Sequence, residues 1–406
     1  MDRPVVYVDN NATTQVAAEV VTSMLPFMTK LYGNPSSMHS FGGEVAKHIT
    51  HAREQVANLL ECTPEEIVFT SCGTESNNTA IFGSLEALNN KRRHIVTTLV
   101  EHPAVKNPIA TLVRKGYQVT ELGVDRQGML NMNLLREVIT EETALVSVMY
   151  ANNETGVIFP VEEIAEIAKE KGALFHVDAV QAVGKIPINL KNSNIDLLTL
   201  SGHKLHAPKG IGSLFIRRGT RMRPYLLGGH QERGRRGGTE AVPNIIALGT
   251  AAESAKYNFS EENTRVKNLR DSLENWILKN IPHTLLNGHP EKRLPNTSNI
   301  AFEYIEGEAI LLSLSQLGIC ASSGSACTSG SLEPSHVLRA MHVPFSGIHG
   351  SIRFSLSRYN TEQDIDYIIQ HLPNIVEKLR AISPYSSSNA MPIPDELKEK
   401  YERNEQ

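Results

Sequence analysis

Ala144-Leu145-Val146-Ser147-Val148-Met149-Tyr150 is apolar at nearly every position. A strand without a polar face is covered on both sides, as interior strands of parallel sheets are. Shorter β-leaning runs recur at Glu66-Ile67-Val68-Phe69-Thr70, His94-Ile95-Val96-Thr97-Thr98, Phe175-His176-Val177 and Ile195-Asp196-Leu197-Leu198-Thr199-Leu200. Helical segments interleave with this pattern, such as the one expected from Val161 to Lys171. The alternation from about residue 66 to 215 predicts an α/β fold with a parallel sheet and helices on both faces. Ahead of it, helical periodicity runs from about Ala17 to Leu31 and breaks at Gly33-Asn34-Pro35-Ser36-Ser37. Val45, Ile49, Ala52, Val56 and Leu59 then mark an amphipathic helix.

The pattern changes near residue 261. A long helix from about Glu261 to Asn280 leads into a mixed α+β block. That block has strands at Ser298 to Tyr304 and Gly350 to Ser357, and a helix at Gly307 to Leu317. A closing helix carries Ile365, Ile368, Ile369, Leu372, Ile375 and Val376 on its apolar stripe. With 406 residues, the chain has room for two domains or one large domain with an appendage. The expected division is a large domain over residues 15–260 and a small α+β domain from 1–14 and 261–383. A polar tail, 384–406, is expected to fray.

Lys and Arg number 40 against 44 Asp and Glu, which leaves no basic footprint for nucleic acid. No run of 18 apolar residues occurs, and Met1-Asp2-Arg3-Pro4 does not begin a signal peptide. Cys62, Cys72, Cys320 and Cys327 form no CxxC pair and suit a reducing compartment. A cytoplasmic protein is the expectation.

In open α/β sheets, ligands bind beyond the carboxyl ends of the strands. Lys204, in Ser201-Gly202-His203-Lys204, follows such a strand end. A lone lysine there is ordinarily solvated. Asp178, one strand upstream, changes the reading. A Schiff-base lysine and a carboxylate that keeps a pyridinium nitrogen protonated are what pyridoxal phosphate (PLP) requires. Ser201 and His203 can donate to a phosphate. Cys72-Gly73-Thr74 opens a helix after a strand, where free N–H groups and the Thr74 hydroxyl suit an anion. Cys72 itself reads as a small buried hydrophobe. His102, before Pro103, and Asn153, in Asn152-Asn153-Glu154, stand at two further strand ends. Asn11 and Thr13 serve equally as helix caps or substrate contacts. Gly228 to Thr239 is a basic, glycine-rich loop suited to a small anion or a neighbouring subunit.

Ten small residues surround Cys327 in Ala321 to Ser331, so this thiol is expected to be exposed and mobile. That makes Cys327 the candidate nucleophile and leaves Cys320 for the core. Arg353 can fork onto a substrate carboxylate, with a structural ion pair as its alternative.

Together these residues resemble the NifS/IscS-type cysteine desulfurases, PLP enzymes of the aspartate-aminotransferase fold (fold type I, class V). The markers are Asp9-Asn10-Asn11-Ala12-Thr13-Thr14, Gly73-Thr74-Glu75-Ser76, Glu101-His102, Asn152-Asn153-Glu154-Thr155-Gly156, Asp178-Ala179-Val180-Gln181, Ser201-Gly202-His203-Lys204 and Ser323-Gly324-Ser325-Ala326-Cys327-Thr328-Ser329-Gly330. His206-Ala207-Pro208-Lys209-Gly210 and Gly229 to Arg236 look more like the nitrogen-fixation branch than the IscS branch. The resemblance implies a mainly parallel seven-stranded sheet and conversion of L-cysteine to L-alanine, with sulfur left as a persulfide on Cys327. It implies that Lys204 carries PLP, that Asp178 pairs with the ring nitrogen and that His102 stacks on the ring and moves protons. Gln181 is implied at the phenolic oxygen, and Asn153 at the ring or substrate. Gly73, Thr74, Ser201, Gly202 and His203 are implied around the phosphate, and Asn11, Asn153 and Arg353 at the substrate. Thr239 is implied to serve the other subunit of a homodimer. An iron–sulfur scaffold protein (NifU/IscU-like), one serving nitrogenase, is the implied acceptor. No structural metal site is implied; Cys327 is a transient cluster ligand at most. A selenocysteine lyase or an aminotransferase of the same fold is the alternative.

Overall fold

A computed structural model describes residues 5–89, 91–323, 334–386 and 389. Cys327 lies outside the described residues, as does most of the tail. Twelve strands are present among them. They are β1 (Val6–Tyr7), β2 (Ile67–Thr70), β3 (His94–Thr98), β4 (Gln118–Leu122), β5 (Thr143–Met149), β6 (Leu174–Asp178), β7 (Leu197–Ser201), β8 (Gly212–Ile216), β9 (Thr284–Leu286), β10 (Thr297–Phe302), β11 (Ile319–Cys320) and β12 (Ser351–Ser355).

Seven of these make one sheet in the order β2-β8-β7-β6-β5-β3-β4. Only β8 runs against its neighbours; the other pairings are parallel. The mainly parallel sheet expected from the apolar runs is therefore present, and β5 is buried at every position. Helices cover the sheet, among them Gly73–Ala87, Pro103–Arg114 and Val161–Glu170. The expected helix from Ala17 to Leu31 is split into Ala18–Met24 and Pro26–Thr29. Pro26 cannot donate its backbone nitrogen to the preceding turn, and it opens the second piece instead.

A second, three-stranded antiparallel sheet has the order β12-β10-β9, and β1 pairs with β11. These strands pack with the helices Phe259–Asn280, Gly307–Gln316 and Glu362–Ile382 around a separate core that includes Ile300, Phe302, Phe354, Ile368 and Leu372. The boundary between the two cores is not a clean cut in sequence. Val337, Leu338, Met341 and Val343 join the core of the large sheet.

Candidate active site

A cavity of about 420 Å³ opens where β2, β3, β5, β6 and β7 end. Its lining brings together Asn11, Gly73, Thr74, His102, Asn153, Asp178, Gln181, Ser201, His203, Lys204 and Arg353. These residues come from seven separate stretches of the chain, so the strand ends do converge. Thr239 is exposed and does not line the cavity of its own chain.

Asp178, the last residue of β6, is buried and fixed by two donors. Asn77 Nδ2 stands 2.7 Å from Oδ2, and the Val180 amide 3.0 Å from Oδ1. Asn77 was not visible as a site residue in the sequence. It lies one helical turn after Gly73 on the helix Gly73–Ala87, which turns it toward β6. Cys72 also differs from its expectation. It is the residue before that helix, it is only partly buried, and it lines the cavity.

Lys204 follows β7 in a single turn of 3-10 helix. Its Nζ donates to the carbonyls of Asn11 and Ala12, the second at 2.7 Å. His203 is neutral: burial pushes its pKa down to about 4, and the charges of Lys204, Lys209 and Lys185 push the same way. His102 caps the helix Pro103–Arg114, its Nδ1 accepting from the Ala104 amide at 3.1 Å. The neutral ring then carries its proton on Nε2. Burial lowers the His102 pKa, Asp178 opposes that shift, and Lys204 adds to it.

Asn11 is more heavily bonded than a free substrate contact would be. Its Nδ2 donates to Thr297 Oγ1 at 2.9 Å and to the Asn153 carbonyl at 3.2 Å. Its Oδ1 accepts from Asn296 Nδ2 at 3.1 Å. Its carbonyl, beside Lys204, accepts from Gln181 Nε2 at 2.9 Å. Asn11 thus ties the large sheet to the second one. Arg353, on β12, reaches Asn153 and Asp9 from the opposite side.

The lining fits PLP on its own terms. The Ser201 hydroxyl is buried and has no hydrogen-bond partner among the described residues, which leaves a donor for a phosphate oxygen. Close approach is built in at two glycines. A Cβ on Gly73 would sit 2.8 Å from Val180 Cγ2, and one on Gly202 2.7 Å from Ile211 Cγ2. No side chain caps the first turn of the helix Gly73–Ala87, so its N–H groups remain for an anion. Lys204 supplies an amine and Asp178 an acid on the same cavity.

A mostly parallel sheet whose strand ends present an amine, a fixed carboxylate and an anion cradle to one cavity defines a pyridoxal-phosphate-dependent transferase. The chain belongs to the aminotransferase class-V family, which it matches over residues 6–368. It is 64% identical over 386 residues to cysteine desulfurase 2 of Trichormus variabilis, covering 95% of this chain and 96% of that one. It is 58% identical to the cysteine desulfurase NifS of Azotobacter vinelandii over 391 residues, 96% of this chain and 97% of that one. A solved NifS-like protein superposes with a TM-score of 0.88 at 40% identity, over 93% of this chain and all of its own.

Proposed function

We propose that this enzyme is a cysteine desulfurase that carries sulfur as a persulfide on Cys327. The observation that carries the reading is the single cavity shared by Lys204, Asp178, His102 and Arg353. High identity to proteins named cysteine desulfurases supports it over a selenocysteine lyase or an aminotransferase. The net reaction is L-cysteine plus a protein thiol giving L-alanine plus a protein persulfide. One C–S bond breaks, one S–S bond forms, and no outside oxidant is required.

When bound, PLP supplies the electron sink that accepts the pair released at the substrate Cα. The chain's own residues do the rest. Lys204 Nζ holds the cofactor and then takes the Cα proton. Asp178, oriented by Asn77 and the Val180 amide, offers a charged acceptor to the ring nitrogen. Ser201, Gly202, His203, Gly73 and Thr74 cradle the phosphate. Gln181 would donate to the phenolic oxygen, and His102 would stack on the ring and move protons through Nε2. Asn11, Asn153 and Arg353 hold the substrate, and Cys327 receives its sulfur.

We assign residues 15–260 to cofactor binding and residues 1–14 with 261–383 to the part bearing Cys327; the two hydrophobic cores support this division in the main, although Val337, Leu338, Met341 and Val343 pack with the first core. The working form is a homodimer in which Thr239 serves the partner's cofactor. Among the described residues no helix is long and apolar enough to cross a membrane, and a cytoplasmic setting suits a reactive thiol. The acceptor is an iron–sulfur scaffold protein, one serving nitrogenase; high identity to NifS favours this over housekeeping assembly.

The deciding experiment is an L-cysteine desulfuration assay on wild type and Cys327→Ala. With an added dithiol to reduce the persulfide and release its sulfur, equimolar alanine and sulfide from the wild type, with neither from the variant under turnover, is the expected result. Keto-acid amination without sulfide would replace this reading with an aminotransferase. A deletion strain places the enzyme in the cell: it should lose nitrogenase activity yet grow normally on fixed nitrogen.

A further inference from the structure

A second lysine lies beside the site. The turn after Gln181 is tight, with the Ala182 and Val183 amides both donating to the Ala179 carbonyl. Gly184 then takes a φ of +77°, and a Cβ there would stand 2.4 Å from Leu205 Cδ2. The chain is thereby folded back against the residue that follows Lys204. Lys185 emerges from this turn next to the lining of the cavity. Among the described residues no carboxylate pairs with it. Its Nζ donates to Gln181 Oε1 at 3.0 Å and to Asn11 Oδ1 at 3.4 Å. Burial pushes the Lys185 ammonium down to about 7, and the charges of Lys204 and Arg353 push the same way.

The Gln181 amide stands between a donor and an acceptor. The Lys185 ammonium offers only N–H, and in either protonation state of Lys185 the Asn11 carbonyl offers only lone pairs and requires a donor. One amide orientation satisfies both, with Oε1 at Lys185 and Nε2 at the Asn11 carbonyl. The reverse would set donor against donor and acceptor against acceptor. Nε2 carries two N–H groups, one of them spent on Asn11, and Gln181 lines the cavity.

We propose that Lys185 is a positioning residue that locks Gln181 with its NH2 end toward the cofactor, so that the phenolic oxygen of PLP meets a donor and never an acceptor. This rests on the reading of the cavity as the PLP site. A donor there stabilises the ionised phenolic oxygen and sets the colour and retention of the bound cofactor.

The test is a double-mutant cycle on the full chain with Lys185→Met and Gln181→Leu. PLP dissociation constants, the absorbance of bound PLP and the melting temperature of the PLP-free protein are read for each. Lys185→Met should weaken PLP binding roughly tenfold, as the loss of one buried partner does, and shift the absorbance. In the Gln181→Leu background it should add nothing. Additive effects, or an unchanged spectrum and affinity, overturn the proposal. Gln181→Glu gives an independent check should Lys185→Met not fold, because a carboxylate pairs with Lys185 but turns only acceptors to the cofactor. Its PLP binding should weaken likewise, and wild-type affinity there would also overturn the proposal. A wild-type protein that binds no PLP would instead sink the reading of the site itself.

Discussion

Arg353 and Asp9 stand 344 positions apart in the chain, yet Arg353 Nη2 lies 2.7 Å from Asp9 Oδ1. Arg353 Nη1 donates to the Asn153 carbonyl at 2.9 Å, and Nε is buried without a hydrogen-bond partner among the described residues. The ion pair and the place in the cavity lining are therefore compatible, because Asp9 holds the guanidinium where it borders the cavity. Arg353→Lys keeps the charge but loses the planar fork. KM for L-cysteine should rise about tenfold, with a smaller fall in kcat. Steady-state kinetics check this, and unchanged constants would leave Arg353 with its ion pair alone.

Lys204→Ala should leave no PLP that borohydride can fix to the protein, and no turnover. Mass spectrometry of the reduced protein reads the first outcome directly. Cofactor fixed at wild-type stoichiometry would move the Schiff base to another lysine, with Lys185 the first to examine.

Cys327→Ala should retain PLP and bind L-cysteine, with loss of sulfur transfer. In the wild type, peptide mapping after one turnover should find the added sulfur on Cys327. Cys62 is a poor rival, because burial pushes its thiol up to about 12. Added sulfur on Cys62, Cys72 or Cys320 would refute the assignment.

Thr239 is exposed in the single chain, at the end of the glycine-rich loop. If it serves a partner's cofactor, PLP occupancy should fall as dilution separates the subunits. Thr239→Ala should weaken PLP binding by about 1 kcal/mol, the size of one hydrogen bond. Full occupancy in a monomeric preparation would rule the role out.

Glu101 gives a pH signature. It is fully buried, and burial pushes its pKa up to about 8, although hydrogen bonds from the Met149 amide and Thr98 oppose the shift. The folded state thus keeps a proton that the unfolded chain releases above its ordinary value. Stability from this group is fully present below that value and falls as pH rises toward 8, by a few kcal/mol at roughly 1.4 kcal/mol per unit. Glu101→Gln keeps the shape and removes the titration. Denaturant melts of the PLP-free protein at pH 5 and pH 8.5 should show a smaller loss for Glu101→Gln than for wild type. Equal losses would mean that Glu101 does not titrate in this way.

The sheet and most of the cavity were legible in the sequence because they are local properties. An apolar run with no polar face is a buried parallel strand wherever it sits, and Asp178, Lys204, His102 and Gly73 each lie at or just beyond a strand's carboxyl end. The helix Val242–Tyr257 carried no such mark. Ala, Ile, Leu and Gly fall on all its sides, so no amphipathic period separates it from loop, and its packing against the helices Ser40–Leu60 and Ala18–Met24 fixes it. Asn77 beneath Asp178, Asn11 bridging the two sheets, Asp9 on Arg353 and Lys185 behind Gln181 were decided by the tertiary structure alone. Three of these four pairings join residues more than a hundred positions apart. The fourth turns on which way an amide points, and only its neighbours in space determine that. Periodicity records which face of an element is buried, but not which polar group meets which once the elements are packed.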